Sequence, residues 1–561
     1  MEHRSLPNRH LQYLLGLLAL GFLNHGIVLL TRSAVGDSIY CNEWMLESRP
    51  DYFQAYFQEV GVPQLTFWFR IFCYVPDPLF VHRVIGLVCA IGIAIGLYFI
   101  LIRWFHPLEA FWVAACAITY PAFSLWGECA VSQYYLFYMI YVFAWFIELY
   151  WSSKSLLKRL ILFGVFFLTG NYAGLLVFHY IASAWYVLRS SQTQANIFTR
   201  AWNVVQEYPH LIFAPGLFYL LKNLYSPPNG AYSDYNHPHL STGMIPDLFS
   251  LVSEVLLGVA REVSSMLPPP WLTLVLLAVF VLCAQQRWPT NKSESKSLSG
   301  VWVETRTLGL ISIVSILSIA LPYIMVNRYF FITGWDSRNC LLLCPAVGML
   351  ILVLFRICGS LLQIHPLYFM TSMGSMVLVL FTCSNLETHL ARQAEHVKQL
   401  AVIQALNDDI NFPKANFIEI EDEFDIPGAS EMLPAICWTN LVTEPGHPAR
   451  KFVIQTQDGM IPQCSSLGRG ISPIVTLQSM SETYSSFDIE TLMEMTTLAR
   501  TLKSIPSEGK QLVVRITPSH WGGSPFWLDL RYYQYRYLQP AGYRDFLKSI
   551  ATVRIRARGD Y

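Results

Sequence analysis

Acids and aromatic rings alternate in one short stretch near the N-terminus. It reads Gly36-Asp37-Ser38-Ile39-Tyr40-Cys41-Asn42-Glu43-Trp44, and Glu47, Arg49, Asp51 and Glu59 follow before Gly61-Val62-Pro63, Trp68 and Arg70. A carboxylate accepts a hydroxyl proton, and a flat ring such as that of Trp44 stacks on a sugar face. Interleaved, the two suit a groove that holds a polar ring. Each acid taken alone is also what a solvated loop would carry, and the spacing leaves both readings open.

Three further groups could do chemistry. The segment Asn327-Arg328-Tyr329-Phe330-Phe331-Ile332-Thr333-Gly334-Trp335-Asp336-Ser337-Arg338 sets two arginines between apolar runs. Its plain reading is an interfacial belt, with Arg328 and Arg338 snorkelling, Trp335 at headgroup depth and Asp336 paired with either arginine. Glu128, in Trp126-Gly127-Glu128, sits so close to apolar sequence that an acid there is costly without a partner or a task. His237 and His239, in Asp234-Tyr235-Asn236-His237-Pro238-His239, are possible ligands for a divalent metal ion. With Pro238 between them they equally make a loop tip.

The elements that position these residues follow from composition. The 561 residues are 53% hydrophobic and only 14% charged, with mean hydropathy +0.38, whereas soluble domains carry about 25% charged residues. Net charge is zero, so no whole-chain field draws nucleic acid. A helix crosses a bilayer with about 20 apolar residues. Runs of that kind fall near 11–31, 82–103, 109–125, 132–151, 159–170, 173–189, 208–223, 271–286, 307–326, 339–356 and 366–385. The stretch 159–189 is too long for one crossing and too short for two full ones, and Gly170-Asn171-Tyr172 predicts two short helices meeting at a turn. The run Leu11–Leu30 follows Arg4 and Arg9 without a small-residue cleavage site, so it reads as a retained first helix.

Basic residues flanking the runs, among them Arg103, Lys154, Lys158, Arg159, Arg189, Arg200, Arg287 and Arg356, collect mainly on one side, which the positive-inside rule makes the cytoplasm. Eleven crossings from a cytoplasmic N-terminus put the long loops near 32–81 and 224–270 outside, together with the C-terminus. The expected fold is therefore a polytopic α-helical membrane domain over 1–387 and a small extracytoplasmic α/β domain over 388–561. An amphipathic helix over Thr388–Asn407 leads into it. Strands are expected at Asn416–Ile420, Phe452–Thr456, Ile474–Leu477, Leu512–Thr517 and Thr552–Arg556, with a helix between Ser485 and Leu502. Arg531-Tyr532-Tyr533-Gln534-Tyr535-Arg536-Tyr537 has the composition of a base-stacking surface. Its outside location favours instead a strand or loop that packs on the membrane or holds a glycan. Cysteines inside apolar runs, such as Cys89, Cys116 and Cys344, read as small hydrophobes, and Cys437 with Cys464 is an open disulfide possibility.

A first span, an acidic outside loop with an early Asp37, and Gly61-Val62-Pro63 before the second span resemble the GT-C superfamily of polytopic glycosyltransferases. The resemblance covers most of the chain as layout and few residues as motif. It implies an inverting enzyme that moves a sugar from a polyprenyl-phosphate carrier to a glycan, lipid or protein acceptor on the outer face. It also implies a general base, Asp37 or Glu43, and a cation for the leaving phosphate, Arg328 or Arg338. Trp44, Glu128, Trp335 and Asp336 become substrate-binding candidates. Many members carry two adjacent acids in this loop, whereas here Ser38 follows Asp37, which leaves the choice of base open. Some members use a divalent ion. The alternatives are a transporter or flippase of a lipid-linked glycan, which calls for charges buried within the spans, and a non-catalytic assembly protein. The runs look nearly free of such charges. Phosphate-cradling glycine loops, nucleophile elbows and zinc spacings are missing from the sequence. The one Asn-x-Ser/Thr sequon, Asn291-Lys292-Ser293, falls on the expected inside, which favours a bacterial plasma membrane over the endoplasmic reticulum.

Overall fold

Apolar runs of spanning length fold as helices because a hydrocarbon core offers the backbone no hydrogen-bond partner but itself. The computed structural model describes residues 6–31, 37–46, 48–152, 155–172, 174–190, 205–229, 298–326, 335–362, 366–409, 417–422, 452–455, 511–518 and 525–557, with isolated positions at 202, 246, 253 and 257. In chain order the helices begin with α1 (Leu6–His25), α2 (Asp37–Leu46), α3 (Pro50–Val60), α4 (Leu65–Phe72), α5 (Pro78–Leu101), α6 (Pro107–Thr119) and α7 (Ser132–Tyr150). Then come α8 (Leu156–Thr169), α9 (Leu175–Ser190), α10 (Pro209–Tyr225), α11 (Leu298–Met325), α12 (Leu343–Leu361) and α13 (Pro366–Asn407). Among the described residues, six stretches are long and apolar enough to cross a membrane: His10–Leu29, Pro78–Leu101, Cys129–Tyr150, Thr305–Met325, Leu343–Leu361 and Phe369–Asn407. The chain is a polytopic helical membrane protein.

Two compact units divide it. One takes Met1–Leu30, Phe80–Tyr225 and Asn236–Leu386; the other takes Thr31–Leu79, Ser226–Tyr235 and Glu387–Tyr561. Several expected boundaries move for local reasons. α6 stops at Thr119, short of the expected 125, because Tyr120 precedes Pro121 and turns extended (φ −61°, ψ 120°). The 159–189 stretch does break into two short helices, α8 and α9, separated at Gly170. The expected span 366–385 and the amphipathic helix after it are one uninterrupted helix, α13, 42 residues long. The span expected at 271–286 lies outside the described residues.

Side-chain bonds fix the sense of the helices in the first unit. His25 Nε2 donates to the Ile118 carbonyl at 2.6 Å, so α1 and α6 end together. Asn385 of α13 donates to Asn24 Oδ1 and to the Thr119 carbonyl, both at 2.8 Å, and Asn24 donates to Thr382 Oγ1 at 3.1 Å. The ends of α1 and α6 and the middle of α13 therefore meet at one end of this unit, called here the exit end. α5 runs against them, since His10 at the start of α1 meets the Tyr98 hydroxyl at 2.6 Å. α7 shares the sense of α5: Tyr150 Oη donates to the Phe99 carbonyl at 2.7 Å and Tyr135 Oη to that of His82 at 3.5 Å. α12 opposes α6, because Gly348 packs on Cys116 while Arg356 reaches Glu109 at the opposite end. With α1 and α13 parallel, the chain leaves this unit at the same end after Leu30 and after Leu386.

In the second unit, α3 is closed by Gly61 in the left-handed region (φ 78°), whose N–H returns to the Gln58 and Phe57 carbonyls. A Cβ at Gly61 would fall 2.6 Å from the Ser226 carbonyl, and Asn229 donates its N–H to the Glu59 carbonyl at 2.9 Å. Parts of the two long loops expected outside thus touch. Phe53, Phe57 and Phe69 make the core of α3 and α4, with ring centroids 5.1 Å apart between Phe69 and each of the others.

The C-terminal part of this unit holds a four-stranded sheet, order β2-β1-β3-β4, from β1 (Phe417–Asp422), β2 (Phe452–Gln455), β3 (Gln511–Pro518) and β4 (Ala551–Ala557). β1 pairs in parallel with β2 and β3, and β4 runs antiparallel to β3. Two helices precede β4: α14 (Pro525–Tyr533) and α15 (Tyr543–Ile550). Four of the five expected strands correspond to these. Ile474–Leu477, the helix expected between Ser485 and Leu502, and Cys437 and Cys464 lie outside the described residues. Arg531–Tyr537 is neither strand nor loop but the end of α14 and a π-turn over Gln534–Leu538. Helical period decides it, since Leu528 and Tyr532, four apart, are both fully buried. They share a core with Val514, Ile516, Phe546 and Ile550 and with Val397, Val402 and Leu406 of α13.

Candidate functional site

At the exit end of the first unit three segments meet: the head of α5, the turn joining α6 to α7, and a 3₁₀ turn over Trp335–Cys340. The Ser124 and Ser337 hydroxyls are 3.0 Å apart, and the Ser124 N–H reaches Ser337 Oγ at 3.4 Å. Tyr135 Oη donates to the Glu128 carbonyl at 3.3 Å as well as to that of His82. The close approach has a backbone cause. Gly127 is left-handed (φ 87°), and a Cβ on the facing Gly86 would fall 2.6 Å from the Gly127 nitrogen. Only bare glycine lets α5 lie directly on this turn.

The result is a carboxylate, a guanidinium and an imidazole taken out of water together. Glu128 is 5% exposed, Arg83 2% and His82 0%, and all three make further interactions within the protein. Arg338 is half-buried and Asn339 buried on the neighbouring 3₁₀ turn. Ionisable groups at such positions are costly and mark either a structural pair or a place of function. The serine pair brings the segments of two sequence candidates, Glu128 and Arg338, side by side.

The remaining candidates divide differently. Asp37 is the first residue of α2, where a helix terminus favours negative charge, and Glu43 lies on the same helix; the side chains of both lie outside the described atoms. Trp44 is half-buried and edge-packed on Tyr52, Phe53 and Tyr56, with centroids 5.7, 5.3 and 6.2 Å away. Arg49 lies 3.7 Å over the Tyr52 ring and bonds Asp51 at 3.1 Å. That bond holds the Asp51 carboxyl below its ordinary value. These residues belong to the second unit, whereas Glu128 and Arg338 belong to the first. Trp335 and Asp336 have backbones on the 3₁₀ turn and side chains outside the described atoms. Arg328, His237 and His239 lie outside the described residues altogether. Among the described residues no three His, Cys, Asp or Glu side chains gather as metal ligands would.

No family model, curated protein or solved structure matches this chain. Its chemistry has to be argued from the residues above.

Two groups of buried ionisable residues near helix ends went unread in the sequence. At the opposite end of the unit, Glu148 of α7 accepts from His210 of α10 at 3.1 Å and pairs with Lys158 of α8 at 3.3 Å. Tyr186 of α9 donates to its other oxygen at 3.5 Å, and Lys158 also donates to the carbonyls of Glu148 and Trp151. Nearby in the chain order, Glu109 both caps α6 through the His106 N–H and pairs with Arg356 of α12 at 2.6 Å. Lys158 and Arg356 serve as inside-flanking charges in the sequence reading, yet both turn inward to acids on other helices. His82 and Arg83 were legible as two ionisable residues opening the most apolar run, a signal that attracts notice only once the run is known to pack on Glu128.

Proposed function

We propose that the chain is a GT-C-type glycosyltransferase, taking a sugar from a polyprenyl-phosphate donor at the exit end of its helices. The observation that supports this is the burial of Glu128 and Arg83 beside the Gly127 turn, which the Ser124–Ser337 bond ties to the segment carrying Arg338. α1 ends beside this turn, with the His25 and Trp126 rings 5.4 Å apart, and the acidic segment beginning at Asp37 follows α1 in the sequence. In the reaction a carboxylate removes the acceptor hydroxyl proton while the oxygen attacks the anomeric carbon. The bond from that carbon to the phosphate oxygen breaks, and a guanidinium offsets the charge left on the phosphate. Glu128 joins Asp37 and Glu43 as base, and Arg83 joins Arg338 and Arg328 as phosphate partner. The exit end faces outward across a bacterial plasma membrane, with the N-terminus cytoplasmic.

The test is sugar transfer by the purified protein in proteoliposomes supplied with polyprenyl-phosphate sugars. Glu128→Gln and Asp37→Asn are compared with wild type at equal amounts of folded protein. Loss of a general base lowers transfer by about 100-fold or more, and the variant that shows the loss identifies the base. Equal transfer in both variants removes both assignments. A wild type inert toward a panel of donors sinks the enzyme reading. A second reading, a carrier of lipid-linked glycans, is favoured by one observation: ionisable side chains are buried among the helices at Glu148, Lys158 and His210. Movement of a fluorescent lipid-linked glycan between leaflets without transfer would establish it.

A further inference from the structure

The C-terminal part of the second unit carries an apolar edge beside its core. Leu528 and Tyr532 of α14 face inward at 0% exposure, while Trp527, Leu530, Tyr537 and Leu538 are 57, 48, 60 and 79% exposed. They line one continuous helical run, because the π-turn Gln534–Leu538 follows α14 without a break. Basic groups accompany them. Arg531 is exposed, and the Arg536 guanidinium sits over the Tyr532 and Tyr537 rings at 5.5 and 5.7 Å. Every residue from Arg536 to Pro540 is exposed.

The element that leads into this core is α13. That helix begins in an apolar stretch fit to cross a bilayer and runs on to Asn407 without interruption. Its residue Ala394 already belongs to the C-terminal core. At about 1.5 Å per residue it has risen only about 12 Å beyond Leu386 at that point. The C-terminal core thus begins on the same uninterrupted helix that carries the apolar stretch. Aromatic rings with polar tips, leucines and arginines are the residue types that settle at that depth, rings among headgroups, leucines below them and guanidinium groups on phosphates.

We propose that α14 and the Gln534–Leu538 turn form a bilayer-docking edge. Trp527, Leu530, Tyr537 and Leu538 enter the interface of the membrane that holds the chain's own spans, and Arg531 and Arg536 contact lipid phosphate. This holds whatever reaction the helical unit performs.

The test uses the full chain in phospholipid vesicles, with Leu538→Cys carrying an environment-sensitive fluorophore and identically treated wild type as blank. A nitroxide placed on the lipids quenches at least half of the site-specific emission, and aqueous iodide quenches little of it. Adding Trp527→Asp and Leu530→Asp reverses that pattern. Strong quenching by iodide with none from lipid overturns the proposal, because the edge then faces water. Protection from both quenchers overturns it too, because a protein surface or a second copy of the chain then covers the edge. Unchanged lipid quenching in the double-aspartate background assigns the contact to something other than this edge and overturns it as well.

Discussion

The two ends of the helical unit bury polar residues in different ways. At the end opposite the exit, acids are closed onto partners from other helices: Glu148 on Lys158 and on the His210 ring, Glu109 on Arg356. At the exit end, hydroxyls tie the segments together: Ser124 meets Ser337, and Tyr135 donates to the Glu128 carbonyl, while Glu128 and Arg83 are buried beside the Gly127 turn. An ion pair shared between helices fixes their packing, and its carboxylate cannot take up a substrate proton without breaking the pair. The first arrangement is architecture; at the second, Glu128→Gln decides between architecture and reaction.

That contrast can be broken experimentally. The largest effect on stability belongs to Glu148→Ala, which strands Lys158 and His210 without their acid and costs about 3–5 kcal/mol, the usual toll of halving a buried pair. Thermal unfolding in detergent reads it, and transfer per folded molecule stays at the wild-type level. Glu128→Gln gives the reverse pattern, with transfer reduced about 100-fold and the unfolding temperature within a few degrees of wild type. If Glu128→Gln instead unfolds the protein as Glu148→Ala does, the exit end is architecture too. Asn385→Ala removes two donated bonds and lowers stability by about 1–2 kcal/mol, visible as a smaller shift in the same melt.

The smallest effect concerns the second unit. Arg544 and Lys548, hydrogen-bonded to Asp408, hold its carboxyl below 3.8. The contribution is fully present above pH 3.8 and fades as pH falls through the lower folded value. Asp408→Asn therefore flattens the acid limb of the stability profile below about pH 4 and leaves neutral pH almost untouched. A profile unchanged by the substitution removes Asp408 from the acid response.

The sequence made some of this legible and concealed the rest. Long apolar runs announce helices by hydropathy alone, so α5, α7, α11 and α12 were readable, and Gly170 marked the break between α8 and α9. Runs do not say where a charge points. Lys158 and Arg356 stand at span ends, where snorkelling and burial look alike in sequence, and only their partners on other helices decide between them. The same holds for Glu128, whose neighbours Arg83 and Gly86 lie more than forty positions away. In the C-terminal part, strands were found by short β-rich runs, whereas Arg531–Tyr537 misled because its aromatics hide a helical spacing that Leu528 and Tyr532 reveal only with burial known. Asp37 and Glu43 were visible as acids after a span, and the structure adds their place on α2.

The Asn24–Asn385 clasp also has a consequence for how the chain is made. Its two residues are 361 positions apart, so at roughly 5–20 residues per second a ribosome reaches the second on the order of twenty to seventy seconds after the first. Until then the first helix waits in the bilayer with an amide exposed to lipid. Asn24 is equipped for the delay, since its Nδ2 donates to the Leu20 carbonyl one turn back at 2.8 Å. Its oxygen has no such local arrangement and is met by Asn385. A nascent chain halted before α13 thus displays an unfinished polar contact, a mark by which a quality-control protease could tell a stalled product from a finished one.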